Sequence, residues 1–127
     1  MPKRVLLVDD DYVVHNYVTK LCKPFLLRHA WNPAEARKIL KKRAKKSQEK
    51  PFDLVICDIH MPPHDKPQGF LLARELRKRF PKMPVLMHSD DTPVLKYLKR
   101  QGFPFVDKLE ENMIQKLRKA IKRELKH

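Results

Sequence analysis

The chain has 127 residues, 42% of them hydrophobic and 35% charged, with a formal net charge of +14. That length suits one domain with one core, the hydrophobic share excludes global disorder, and no apolar run approaches the roughly 20 residues a membrane span needs. The basic excess favours anionic partners such as nucleic acid or acidic proteins, and a lysine-rich solvated surface would give the same balance. The two cysteines, Cys22 and Cys57, sit in apolar settings and read as reduced core residues, not as a disulfide or zinc framework.

In chain order, VLLV (Val5 to Val8) is a continuous apolar run, expected as a strand buried on both faces. Its four residues precede three aspartates, too short a run for a signal peptide. DDDYVVHNYVTKLC then places Val13, Val14, Tyr17, Val18 and Leu21 near helical spacing, and Pro24 stops that helix. FLLRHA is a weaker strand. NPAEARKILKKRAKK opens on Asn32 as N-cap, Pro33 at the first helical position and Glu35 behind it. FDLVICD is the central strand, GFLLARELRKRF an amphipathic helix after Gly69, and PVLMHS a strand. TPVLKYLKRQ is a short helix with Thr92 as the expected cap. FPFVDK is a last strand and ENMIQKLRKAIKRELK a closing helix.

Alternating strands and helices imply βαβ units. The expected class is α/β, a doubly wound five-stranded parallel sheet with helices on both faces, formed as one domain over residues 1–127 with no output domain. Ligand chemistry in such sheets gathers at the carboxyl ends of the strands. Here those ends carry Asp9, Asp10 and Asp11, then Asp58, Ser89 and Lys108. Clustered carboxylates raise one another's pKa unless a hard cation such as Mg²⁺ joins them. An aspartate can also attack a phosphoryl group, and the resulting dianion needs a cation and a hydroxyl donor around it. Lys108 and Ser89 fit those roles, so Asp58 is placed to be phosphorylated.

Over nearly its full length the chain resembles a response-regulator receiver domain of the CheY-like, flavodoxin-like fold. VLLVDDD, LVICDIHMP, PVLMHS and FPFVDK carry the likeness. The resemblance implies Asp58 as phosphoacceptor, Asp10 as direct Mg²⁺ ligand, Asp9 as the second acidic member and the His60 backbone carbonyl as a further ligand. It also implies Ser89 and Lys108 as phosphoryl contacts, Phe105 as a switch aromatic, and a position at His60 that tunes dephosphorylation. A histidine kinase or phosphotransfer protein would be the donor, a protein contact the output, and the cytoplasm the setting, with no enzymatic turnover. Taken singly, Asp11 reads as a helix cap, Ser89 as a turn residue and Phe105 as core.

The family pattern is broken in four places. Asp90 and Asp91 follow Ser89 where a small residue is usual, the PPHDKPQ loop is long, Leu109 stands where proline is usual, and Gly102 to Phe105 runs a residue short. Asp90 and Asp91 are therefore expected modulators, and a receiver-like basic adaptor that takes no phosphate is the alternative. VDDDYV also resembles the first motif of haloacid-dehalogenase-type phosphatases, with Asp9 as nucleophile and Asp11 as acid/base, but the glycine and threonine of that motif are missing. Ala36 to Lys50 holds eight basic residues and one Glu, with Lys38, Lys42, Lys45 and Lys46 on a broad outer face. No aromatic interleaving or recognition helix accompanies them, so non-specific nucleic-acid binding fits better than sequence readout.

Overall fold

Continuous apolar runs such as VLLV and LVIC pair as central strands because each can bury both faces, while the more exposed LLRHA takes an edge. In the computed structural model, which describes residues 2–45 and 49–126, five strands form one parallel sheet in the order β2-β1-β3-β4-β5. In chain order the elements are β1 (Arg4–Val8), α1 (Tyr12–Leu21), β2 (Leu26–Ala30), α2 (Pro33–Ala44) and β3 (Leu54–Cys57). They continue through α3 (Gln68–Arg79), β4 (Val85–Ser89), α4 (Thr92–Arg100), β5 (Phe105–Asp107) and α5 (Met113–Leu125). The predicted strands and helices all appear, within a residue or two at most ends; Lys46, placed at the end of α2 by the sequence, lies outside the described residues.

Successive strand residues point to opposite faces, and the core divides accordingly. Leu6, Val8, Val55, Cys57, Val85 and Met87 pack with α2, α3 and α4. Val5, Leu7, Leu54, Ile56 and Leu86 pack with α1 and α5. Both cysteines are free and buried, as their apolar settings imply, and burial pushes the Cys22 thiol up to about 11.

Asn32 caps α2 through the Glu35 amide at 2.8 Å, with Pro33 opening the helix. The expected cap of α4 is wrong by one residue. Asp91, not Thr92, is the N-cap and accepts from the Val94 amide at 3.2 Å. Thr92 is drawn away because its Oγ1 donates to Asp107 Oδ2 at 2.5 Å, tying α4 to the end of β5. At the other end of α4, Gly102 turns the chain with φ +91, a conformation that favours glycine. The Arg77 guanidinium holds that turn, donating to the Gln101 and Gly102 carbonyls over the face of Phe103.

Candidate functional site

Because the sheet is parallel, the carboxyl ends of all five strands open on one side. β1 delivers Asp9, fully buried, and its neighbour Asp10, exposed. Asp11 is the N-cap of α1 and accepts from the Val13 amide at 2.9 Å, so its capping role holds. Asp9 is not a cap. Its Oδ1 accepts from the Asp11 amide at 2.8 Å and its Oδ2 from Lys108 Nζ at 3.0 Å. β3 delivers Asp58, 6% exposed, whose Oδ1 accepts from the Ile59 amide at 2.7 Å and whose Oδ2 accepts from the same Lys108 Nζ at 3.0 Å. One ammonium therefore sits between two buried carboxylates.

Lys108 is held there by the sheet, its amide donating to the Ser89 carbonyl at 2.8 Å. Burial alone would lower its pKa, but the carboxylates of Asp58 and Asp9 outweigh burial and keep it above the ordinary lysine range. Asp9 is pushed up to about 7, first by burial and then by the charge of Asp58, against the pull of Lys108. Near neutral pH this end of the fold thus pairs a charged lysine with a carboxyl whose pKa is raised close to neutrality.

Asp9, Asp10 and Asp58 each offer an oxygen, and the three oxygens lie within 4.8 Å of one another. An all-oxygen carboxylate set suits a hard cation such as Mg²⁺, which completes its shell with water and phosphate oxygens. Sulfur or imidazole donors, which softer metals favour, are not part of the group.

The cleft over these groups is lined by Asp10, Asp11, Tyr12, Asp58, His60, Asp90 and Lys108. Asp90 is exposed at its rim. His60 Nε2 lies 2.6 Å from Asp91 Oδ2, so the loop after β3 and the turn after β4 touch across the cleft. Ser89 ends β4 fully buried; its Oγ accepts a long bond, 3.4 Å, from the Asp91 amide and does not line the cleft. Phe105 is half-buried against the α2–α4 side of the core and pairs with Met87 in register. The structure thus brings Asp9, Asp10, Asp58 and Lys108 together, sets His60 and Asp90 beside them, and keeps Ser89 and Phe105 behind.

Several supports of the site were not anticipated. Gly69 lets α3 approach so closely that a Cβ there would stand 1.5 Å from the Asp58 carbonyl oxygen. Asp107, buried before Lys108, accepts from the Leu109 amide at 2.8 Å and from Thr92, which fixes the lysine loop without a proline at residue 109. Burial lowers the pKa of His88 to about 4 and raises that of Tyr17 to about 12. Neutral His88 therefore donates from Nδ1 to the Val106 carbonyl at 2.8 Å and accepts the Tyr17 hydroxyl at Nε2, 2.6 Å away. His15, almost fully buried, donates from Nε2 to the Asp9 carbonyl at 2.8 Å, which leaves its Nδ1 to accept from His29 Nδ1 at 2.6 Å. Trp31 stacks on the His15 ring at 3.7 Å. Gly69, following a proline-rich loop, was the one signal in the sequence for any of these.

The chain matches the response regulator receiver domain family model over residues 5–122. No curated protein sequence matches it. Among solved structures it is similar to NtrX from Brucella abortus, at 23% identity and TM-score 0.77, covering 99% of this chain and 27% of that one. It is also similar to the chemotaxis protein CheY4 of Vibrio cholerae, at 24% identity and TM-score 0.73, covering 98% and 100% of the two chains. A CheY-like receiver domain protein of Methanospirillum hungatei JF-1 matches at 20% identity and TM-score 0.77, covering 99% and 95%. At these identities the likeness extends to the fold; this chain spans about a quarter of the length of NtrX.

Proposed function

The chain belongs to the response regulator receiver family of two-component systems, and from that footing we propose that it accepts a phosphoryl group on Asp58 in a Mg²⁺-dependent reaction and signals through protein contact. Aspartate phosphorylation and Mg²⁺ binding are typical of the family. The observation that carries the reading for this chain is the single Lys108 ammonium shared by Asp9 and Asp58 beside a three-carboxylate cluster.

In this reading an Asp58 oxygen attacks phosphorus, the bond from phosphorus to the donor's histidine nitrogen breaks, and an acyl phosphate results. Asp9, Asp10 and Asp58, with the His60 carbonyl, would hold Mg²⁺, which supplies charge neutralisation to the phosphoryl oxygens when bound. Lys108 keeps its contact with Asp9 and moves its second contact from the carboxylate to the phosphoryl group. Ser89 gives up its long contact with Asp91 and turns its hydroxyl toward the phosphoryl oxygen, and Phe105 follows that movement. His60 stands where attacking water would approach. The exposed Asp90 lets its charge be screened by solvent. The donor is a histidine kinase or phosphotransfer protein, and the buried thiols fit a reducing, cytoplasmic setting. No helix among the described residues is long and apolar enough to cross a membrane.

Incubation with Mg²⁺ and acetyl phosphate, followed by intact mass, tests the proposal. A phosphoryl adduct in the wild type and none in Asp58→Ala is the expected result. No adduct, together with no beryllofluoride binding, would overturn it and leave the alternative, a receiver-like adaptor whose Asp90 keeps phosphate out.

A further inference from the structure

In a parallel doubly wound fold every helix ends where the strands begin, at the opposite pole from Asp58. The basic residues follow that topology. The last turns carry Lys41, Lys42 and Arg43 in α2 and Arg77, Lys78 and Arg79 in α3, with Lys20, Lys99, Arg100, Lys122 and Arg123 in the other three helices. A cation or two per helix end complements the dipole. Three in succession, on neighbouring helices, go beyond that.

The densest part is the end of α2, which stands as a ridge between two furrows. Arg4, Arg28, Lys42 and Arg43 line the furrow toward the edge strand β2. Lys41, Lys45 and Arg79 line the furrow toward α3. Among the described residues no carboxylate lines either furrow. Among the described residues none of these cations is in an ion pair. Mutual repulsion at such a cluster is relieved by a polyanion.

We propose that this pole is a docking surface for the phosphate backbone of double-stranded DNA, held by the α2 ridge and its furrows without readout of base sequence. Four of the seven cations are arginines, whose planar guanidinium matches phosphate oxygens in pairs. Among the described residues the furrows are lined only by cations and apolar side chains, which suits contact with the phosphate backbone and offers no amide or carboxylate for an adenine or cytosine edge. The exposed aromatic pair Tyr12 and Trp31, which could stack on unpaired bases, lies beside the acidic cleft instead. Repulsion between phosphate and the aspartates of that cleft orients the complex, so that Asp58 faces away from the duplex and stays open.

The test is fluorescence anisotropy with a fluorescein-labelled 24-base-pair DNA duplex of mixed sequence across a salt series. The wild type is compared with Lys41→Glu/Lys42→Glu/Lys45→Glu/Arg79→Glu and with a control of equal charge, Lys66→Glu/Lys96→Glu/Arg118→Glu/Lys119→Glu, all exposed away from the ridge. The expected log–log salt slope of wild type is about −5, falling by about 3 in the ridge variant. At fixed salt the ridge variant loses at least about tenfold in affinity and the control less than about threefold. Equal losses in the two variants, or a flat salt slope, would overturn the proposal. So would tighter binding of an RNA duplex of the same length or of poly-L-glutamate. The Asp58→Ala variant is expected to bind DNA like the wild type, so failure of this inference and failure of the phosphoacceptor reading are separate results. Thermal melts of both quadruple variants confirm that each is folded when measured.

Discussion

The two poles of this molecule handle charge in opposite ways. At the acidic pole Asp9 and Asp58 are buried, each fixed by a backbone amide and each bonded to the partly buried Lys108. At the basic pole Lys41, Lys42 and Lys45 are exposed, and among the described residues no carboxylate lines either furrow. Charge built into the core is felt by the fold, because desolvation and strong pairing oppose each other there. Charge on a solvated ridge costs the fold little and is felt by partners. Substitutions at the first pole should therefore register as stability and those at the second as binding.

The largest effect is expected from Gly69→Ala. The added Cβ would meet the carbonyl oxygen of Asp58 at 1.5 Å and its carbon at 2.6 Å, both backbone atoms that have no rotamer to escape into. α3 must move off the end of β3, at a cost of about 3 kcal/mol or more, read as a fall in the urea midpoint. Mg²⁺ affinity should fall with it, since the displaced carbonyl belongs to the phosphoacceptor residue. A loss under about 1 kcal/mol would mean that this junction is pliable, and the contrast between the poles would weaken.

Next comes the pH response, in which two buried groups act with opposite sign. His88 is held near 4 in the fold and returns to its ordinary value of 6.5 when unfolded, so the unfolded chain binds more protons between those values. Its contribution is lost as pH falls through that window, by about 3 kcal/mol. His15 and His29, also lowered by burial, act in the same direction. Asp9 is held near 7 and returns to 3.8, so the folded chain binds more protons and stability rises as pH falls through that window, by a similar order. In metal-free wild type the His88 and Asp9 responses therefore largely offset each other between pH 4 and 6.5, and the loss of stability that remains as pH falls comes from His15 and His29. Asp9→Asn removes one side of the balance. Relative to wild type it should be stabilised by about 2 kcal/mol at pH 8, after discounting the acceptor lost to Lys108, and should become acid-sensitive. Saturating Mg²⁺ should reverse the ranking at pH 8 by stabilising the wild type alone. Parallel pH profiles for the two proteins would show that Asp9 does not titrate in this range.

The sequence made the acidic pole legible because parallel alternation predicts where strand ends gather, and Asp58 and Lys108 stand at such ends. It could not show that Lys108 would bridge Asp9 and Asp58, since side chains 99 and 50 residues apart meet only through the strand order. The cap of α4 shows the same limit. Thr92 followed by Pro93 looks like a helix start locally, and the competing hydroxyl contact comes from Asp107 on another strand. His88 sits in an apolar run and reads there as one more strand residue. Its partners, the Tyr17 hydroxyl and the Val106 carbonyl, come from α1 and β5. The cation runs of α2 and α3 were visible as composition; that the fold sets them side by side at one pole was not.

The smallest expected effect sharpens the comparison most, because it is a near-absence where the acidic pole gives kilocalories. Lys42→Glu replaces an exposed cation of α2 that has no ion pair among the described residues. The new carboxylate stands near the carboxyl end of the helix, where the dipole disfavours it by roughly 0.3–1 kcal/mol at low salt. The same change removes repulsion from Arg4, Arg28 and Arg43 around the furrow and adds attraction to them. The two effects oppose each other, and both are screened by salt. Stability should stay within about 0.5 kcal/mol of wild type at 0.15 M salt, with an unchanged urea slope. A destabilisation comparable to that of Gly69→Ala would mean that Lys42 is tied into the fold as firmly as Lys108, and that the basic ridge is structure before it is surface.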